Sequence, residues 1–478
     1  MKRFNGSLNA DPVSPVVLYV ASGYLLLWVA LLNGYPLFYP DSAGYMMNSF
    51  DLKQPIYRTI GYSIFLRLVN LGSSPWLIVI AQALVAVFLL RSVFKFIVRG
   101  AAQTEREDWL FLGLIAFLAF GTTLPWFVGE IMPDVFTGFA LLSLFLLLYD
   151  VKTTLEHSVL LCLVFCISIG SHITHFLLAI GLLLAVFVLG SFRSLHWLRP
   201  ARAMKGIAAF VLTPILAVGI LTAYSNWRVG YGFALSPGGN VFLFARLMES
   251  GLAPAYLQQA CKTEELTPCK YLHDPAPNVE QILWTSYPLL KEMGGWDGAR
   301  AEAGKIVSGT IWHNPVRFVV DCTRQMLHQF VTFPPGDENY PYLSGPEINI
   351  FFQLYPGEAQ RYVISRQSKD KLRDDGKKAG GIDAAVFWFS LGICLIELFS
   401  RRPGRKLADQ LFVLSLIFLF GNALTTGALA GVYPRYQARA SWLMAMCCAA
   451  YLLPYVMRWR QKKEDHVLRL ETVEEVDV

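Results

Sequence analysis

Apolar runs of about 18 residues or more recur along the chain, separated by short polar loops, and each is long enough to cross a hydrocarbon layer as a helix. Ten spans are legible, at residues 16–32, 76–90, 109–127, 135–149, 159–170, 174–189, 207–224, 384–399, 411–431 and 440–455. The hardest division is 158–189, too long for one comfortable span and short for two, with Ser171-His172-Ile173-Thr174-His175 in its middle. Basic residues collect in cytoplasmic loops, which arbitrates the division. With two spans there, Lys2, Arg3, Arg91, Lys95, Arg99, Arg106, Lys152, Arg193, Arg199, Arg202, Lys205, Arg401, Arg402, Arg405, Lys406, Arg458, Arg460, Lys462 and Lys463 fall on one side. With one span, the basic loops before and after it are split between the two sides. The pattern therefore predicts an all-α polytopic membrane protein of about ten transmembrane helices with both termini cytoplasmic.

Residues 225–383 form the only large polar interruption, too long for a bare linker. Trp284, Trp296, Trp312 and several apolar stretches suffice for a small core, and the pattern there is mixed, with helical periodicity at 298–312 and 317–330. The predicted organisation is a membrane module at 1–224 that includes the first external loop, an extracytoplasmic region at 225–383 between spans seven and eight, closing helices at 384–457, and a cytoplasmic tail at 458–478. The charged, glycine-ended stretch 367–381 reads as a mobile return to the membrane, and the tail beyond Lys463 as disordered. No internal repeat is visible, which counts against transporters built from repeats.

Composition sharpens the class. The 478 residues are 54% hydrophobic and only 16% charged, with mean hydropathy +0.43, which argues against a soluble globular protein. The net charge of +6 sits largely in short loops, which suits membrane orientation and excludes a nucleic-acid partner. Met1-Lys2-Arg3 precedes an apolar run too long for a cleaved signal and is predicted as the start of a retained anchor. Among eight cysteines, Cys261 and Cys269 bracket a short polar turn, where a local disulfide requires an oxidising compartment. A zinc site there is weakly supported, since only His273 and Asp274 are near.

The predicted topology places Asp41, Arg58, Glu130, Asp134, His172, His175, Arg435, Arg439 and the Cys261/Cys269 loop on the external face, where acids and cations from separate loops could assemble around one mouth. Asp41 and Arg58 flank segments 42–50 and 60–71, both amphipathic and suited to helices in the interface. Asp41 could alternatively cap a helix starting at Ser42, and Arg58 could be an interfacial anchor. Glu130 and Asp134 could share a divalent metal or act as a second acid, while helix-dipole stabilisation alone also accounts for Asp134. His172 and His175, three apart, could contact a phosphate, pair within the bundle or ligate zinc. Arg435 and Arg439 share a helical face after Pro434 and suit a phosphate, although headgroup contacts or an ion pair with Asp41 or Glu130 would also use them.

Taken in order, Pro40-Asp41-Ser42 with Tyr45, then Arg58-Thr59-Ile60-Gly61-Tyr62-Ser63-Ile64-Phe65-Leu66, Met132-Pro133-Asp134, and Arg435-Tyr436 resemble the multi-spanning glycosyltransferases of the GT-C superfamily. That group includes protein O-mannosyltransferases and bacterial enzymes that glycosylate lipid A. The resemblance covers the first seven spans and implies a polyprenyl-phosphate sugar donor, a lipid or glycan acceptor, a bacterial inner membrane, and a catalytic acid in the first external loop, here Asp41. It further implies inversion at the sugar, with Arg58, Arg435, Arg439, His172 and His175 around the donor phosphate. The chain departs in carrying one acid where O-mannosyltransferases have two adjacent ones, in Ser42, and in its long region after span seven. A polysaccharide polymerase or ligase, and a lipid or sugar transporter, are the competing expectations.

Overall fold

The computed structural model describes residues 14–70, 72–99, 107–273, 277–285, 287–333, 340–343, 346–400, 402 and 404–474, with the side chains of 346–347 and 458–474 excepted. Lys2, Arg3, Arg106, Asp274 and Arg401 lie outside them, as do the side chains of Arg458, Arg460, Lys462 and Lys463. Every named element among the described residues is helical. Six helices are long and apolar enough to cross a membrane: Trp76–Val98, Ile173–Ser191, Met204–Arg228, Arg373–Phe399, Lys406–Ala428 and Pro434–Met457. Pro15–Leu26, Pro133–Tyr149 and Leu155–Ser171 are apolar but shorter, and residues 109–127 divide into Glu107–Gly121 and Leu124–Val128.

Local chemistry sets the breaks. Residues 158–189 form two helices that meet at His172, whose extended backbone (φ −154°, ψ 141°) interrupts the ladder while its side chain accepts from the Thr174 amide. The segment Phe136–Tyr149 is apolar on all sides and every one of its residues is buried, as expected of a helix at the centre of a bundle. Helices approach closely there, since a Cβ at Gly138 would collide with the Trp442 ring. The last helix starts at Pro434, in the first-turn position that proline tolerates, and runs to Glu474, so the stretch past Lys463 expected to be disordered is helical as far as Glu474.

The region after the seventh apolar stretch also differs from expectation. Its pattern reads as mixed, yet its described elements are all helices, with Val241, Phe244, Leu247, Leu289 and Ile306 in a separate apolar core. Cys261 and Cys269 are disulfide-bonded with their Cα atoms 5.8 Å apart, closing the turn at the edge of that core. The expected mobile return is instead part of a single 27-residue helix, Arg373–Phe399, preceded by a fully buried Gln367. The boundary expected at 383 thus falls inside a helix, where Asp383 accepts hydrogen bonds from the Thr123 amide (3.1 Å) and the Ser441 hydroxyl (2.6 Å).

Candidate functional site

The first cluster grows from the turn Tyr39-Pro40-Asp41-Ser42. Tyr39 is extended (φ −113°, ψ 161°), Pro40 opens the helix Pro40–Asp51, and the Tyr39 amide donates to Ser42 Oγ at 2.9 Å. Ser42 therefore makes the side-chain cap contact, and Asp41 is left to pair with Arg58, whose Nη2 donates to Asp41 Oδ1. The pair is asymmetric: the Arg58 side chain is 6% exposed and that of Asp41 36%. Burial is the largest influence and opposes the charge on Arg58, but the Asp41 carboxylate with Tyr45 and Tyr57 together outweigh it and raise the guanidinium above its ordinary pKa. Arg58 also stands over the rings of Tyr45 (4.7 Å) and Tyr57 (5.4 Å). Gly44 makes room for it, because a Cβ there would overlap Arg58 Nη1.

A second cluster lies alongside. Asp134 is buried between Arg439 (3.1 Å) and Arg435 (3.5 Å). Arg439 is completed by Asn422 Oδ1 (3.0 Å) and Thr174 Oγ1 (3.3 Å), all inside the bundle. Arg435 reaches the other way, with its guanidinium carbon 3.7 Å from the centroid of the Tyr39 ring. Tyr39 thereby joins the two clusters, and Tyr45, His172 and Tyr436 each lie within electrostatic reach of Asp41, Asp134 and Arg435.

Not every expected residue stands at this junction. His175 is fully buried, with Nε2 2.6 Å from Thr137 Oγ1 and Nδ1 3.0 Å from the Ser168 carbonyl, so both nitrogens are committed within the bundle. It braces two helices and has no nitrogen left for a phosphate. Arg439 is likewise sealed behind Asp134 and positions that carboxylate, contrary to its expected phosphate contact. His172 is nearer the junction, its Nδ1 held by Thr174 Oγ1 at 2.8 Å. Glu130 is buried, and its carbonyl accepts from Gln82 Nε2 at 2.9 Å. Asp134 faces two cations, an environment that disfavours a dication, and among the described residues no three His, Cys, Asp or Glu side chains are grouped to hold a metal ion.

Two glutamines that sequence reasoning overlooked hold the junction in place. The Gln367 amide donates to the Phe38 carbonyl (2.6 Å) and accepts from the Phe38 amide (3.0 Å). The Gln329 amide does the same to Tyr433, at 2.9 Å in both directions. Each two-point clamp acts next to a Tyr-Pro-charged triplet, Tyr39-Pro40-Asp41 or Tyr433-Pro434-Arg435, where proline supplies no amide of its own. That repeated triplet is the one sequence signal that could have marked them. Gln329→Leu removes the Oε1 acceptor of the Tyr433 amide, while the Tyr433 carbonyl keeps the Tyr436 amide at 3.1 Å, and is expected to destabilise the protein by about 1–3 kcal/mol, read from thermal unfolding in detergent. An unchanged unfolding temperature would show that the clamp is dispensable.

A cavity of about 1030 Å³ opens on the flank of Arg58. Asn48, Asp51, Gln54, Tyr57, Arg228 and Tyr231 line it, and Ile350 reaches it from the helix Pro346–Leu354, which packs on Pro40–Asp51. Its walls mix polar side chains with apolar ones such as Met47, Pro55 and Val229, and Arg58 connects it directly to the Asp41 carboxylate. The geometry thus combines a partly open carboxylate, two cations at different depths, and a cavity of mixed lining beside them. No protein-family model, curated protein or solved structure matches the chain.

Proposed function

We propose that the protein is a membrane glycosyltransferase that moves a sugar from a polyprenyl-phosphate donor to a lipid or glycan acceptor. The observation that carries this reading is the proximity of the Asp41–Arg58 and Asp134–Arg435 pairs, linked by Tyr39, which begins the Asp41 turn and lays its ring against Arg435, beside helices suited to a bilayer. Ionisable groups near hydrocarbon are costly and commonly mark reacting centres. In this reading the ten apolar stretches all span or dip into the membrane, the junction faces the extracytoplasmic side, the termini are cytoplasmic, and the host membrane is a bacterial inner membrane. The GT-C superfamily resemblance of the motifs points the same way.

The chemistry follows from the residues. The donor tail lies in the bilayer and its phosphate meets Arg435 from the membrane side. An acceptor hydroxyl arrives through the cavity beside Arg58 and attacks the anomeric carbon. Asp41, held through Oδ1 by Arg58, takes the hydroxyl proton on Oδ2 as the new bond forms. The old carbon–oxygen bond breaks and its electron pair leaves with the phosphate, whose charge Arg435 and His172 stabilise. A single displacement with no enzyme nucleophile inverts the anomeric centre. Asp134 and Arg439 hold Arg435 in position for this step.

Arg435→Ala tests the donor half. Deleting one charged hydrogen-bond donor costs roughly 1.5–3 kcal/mol, or about 10- to 150-fold in donor affinity. The measurement is binding of a polyprenyl-phosphate sugar to protein in lipid nanodiscs. Unaltered donor affinity would remove Arg435 from the donor site and with it this assignment of roles.

A further inference from the structure

The helix Pro315–Val331 carries an unpartnered face that the proposed reaction does not use. Val316, Val320, Leu327 and Val331 are between 51% and 73% exposed, and Trp312, on the preceding helix, is 78% exposed. At 3.6 residues per turn these four aliphatic positions share one side of the helix, within roughly 60° of one another. Arg317, Arg324 and His328 are also exposed and cluster within roughly 40° along the adjoining edge. The helix is anchored to the protein by Gln329, on the side opposite the stripe, and by Phe330, both buried, while half-buried Asp321 is engaged by Arg246 at 2.7 Å. An aliphatic stripe, extended by Val319 at 61% exposed and bordered by basic residues, on a helix anchored through Gln329 and Phe330, is the pattern of an element lying in a bilayer interface.

Its place in the fold says what covers it. Phe330 stacks on Phe420 with ring centroids 4.2 Å apart, and also meets Phe387 at 6.1 Å. Phe420 belongs to Lys406–Ala428 and Phe387 to Arg373–Phe399, both long and apolar enough to span a membrane. The C-terminal turns of Pro315–Val331 are therefore packed directly against the lateral surface of spanning helices. On Arg373–Phe399, Phe389, Ile396 and Phe399 are themselves exposed, so the helix that Phe330 meets also carries apolar surface for lipid to cover.

We propose that Pro315–Val331 is a bilayer-docking helix, with its aliphatic stripe in the acyl region and Arg317, Arg324 and His328 binding the phosphates of anionic lipid headgroups. The proposal is independent of the transfer reaction. It gives the region between the seventh and eighth apolar stretches a second attachment to the membrane, next to the Gln329 clamp that holds the Arg435 loop.

The test uses the full chain in nanodiscs of phosphatidylglycerol and phosphatidylcholine. A benzophenone amino acid replacing Val320 or Leu327 is expected to form lipid adducts on irradiation, detected by intact mass, whereas the same probe at the exposed Lys262 is not. Arg317→Gln with Arg324→Gln is expected to lower retained phosphatidylglycerol by about five-fold per arginine, leaving phosphatidylcholine unchanged. Absence of lipid adducts at 320 and 327 would overturn the docking. Equal phosphatidylglycerol retention in the double variant would overturn the headgroup contact. Release of the retained lipid by inorganic phosphate would reassign the basic edge to a soluble anion and overturn the lipid assignment. The probe positions carry no charge change, so the adduct outcome and the phosphate-release outcome on the parent chain are readable even if the double variant folds poorly.

Discussion

Asp41→Asn is expected to lower sugar transfer by about 10²- to 10⁴-fold, the range that a positioned general base contributes, while donor binding stays near that of the parent protein. Asparagine keeps the shape and an oxygen that can still accept from Arg58 Nη2, so the local geometry survives. It loses the basicity that removes the acceptor proton. The helix start is insulated from the change, since the side-chain cap contact comes from Ser42 and not from Asp41. The measurement pairs transfer from a polyprenyl-phosphate sugar with donor binding on the same preparation. Full turnover by the Asn variant would remove Asp41 from the chemical step and favour the polymerase or ligase reading, and unimpaired binding with lost turnover would place Asp41 in that step.

How far the sequence reveals this arrangement depends on the range of the interaction concerned. The helices follow from runs of apolar residues, and the break inside 158–189 follows from a polar cluster that ends one helix and caps the next at His172. Asp41 and Arg58 are 17 residues apart, one in the first turn of the short helix Pro40–Asp51 and the other just beyond its end, so their pairing needs little more than local folding. The roles within the second cluster were not legible, because depth decides them. Arg435 and Arg439 share a helical face and both reach Asp134, yet one turn further into the bundle takes the side chain from 10% exposed to 1% exposed. His172 and His175 divide in the same way. The clamps from Gln329 and Gln367 span 104 and 329 residues of sequence, and neither glutamine differs by composition from a surface residue. A polar stretch such as 367–381 looks like a mobile link until a partner as distant as Phe38 is known.

Asp134→Asn is expected to be the most destabilising conservative change at the junction, by about 3–5 kcal/mol, because it breaks a buried ion pair and leaves the cations uncompensated. Asp134 is the carboxylate between two buried guanidiniums, and its side chain and that of Arg439 are each 1% exposed. Asparagine preserves volume and one acceptor oxygen, so packing around Val135 and Phe136 is retained and the loss reports the charge. Arg439→Gln in the same chain then removes one of the two stranded cations. If the charge imbalance is the cause, the double variant recovers a large part of the loss, giving a coupling energy that the two single variants do not predict by addition. Thermal unfolding of the three variants in one detergent measures this cycle. Donor binding adds a second readout, since Arg435 leans on Asp134 on one side and on the Tyr39 ring on the other. Additive losses, with no recovery in the double variant, would mean that Asp134 serves the fold through shape and not as the counter-charge that holds Arg435 beside Tyr39.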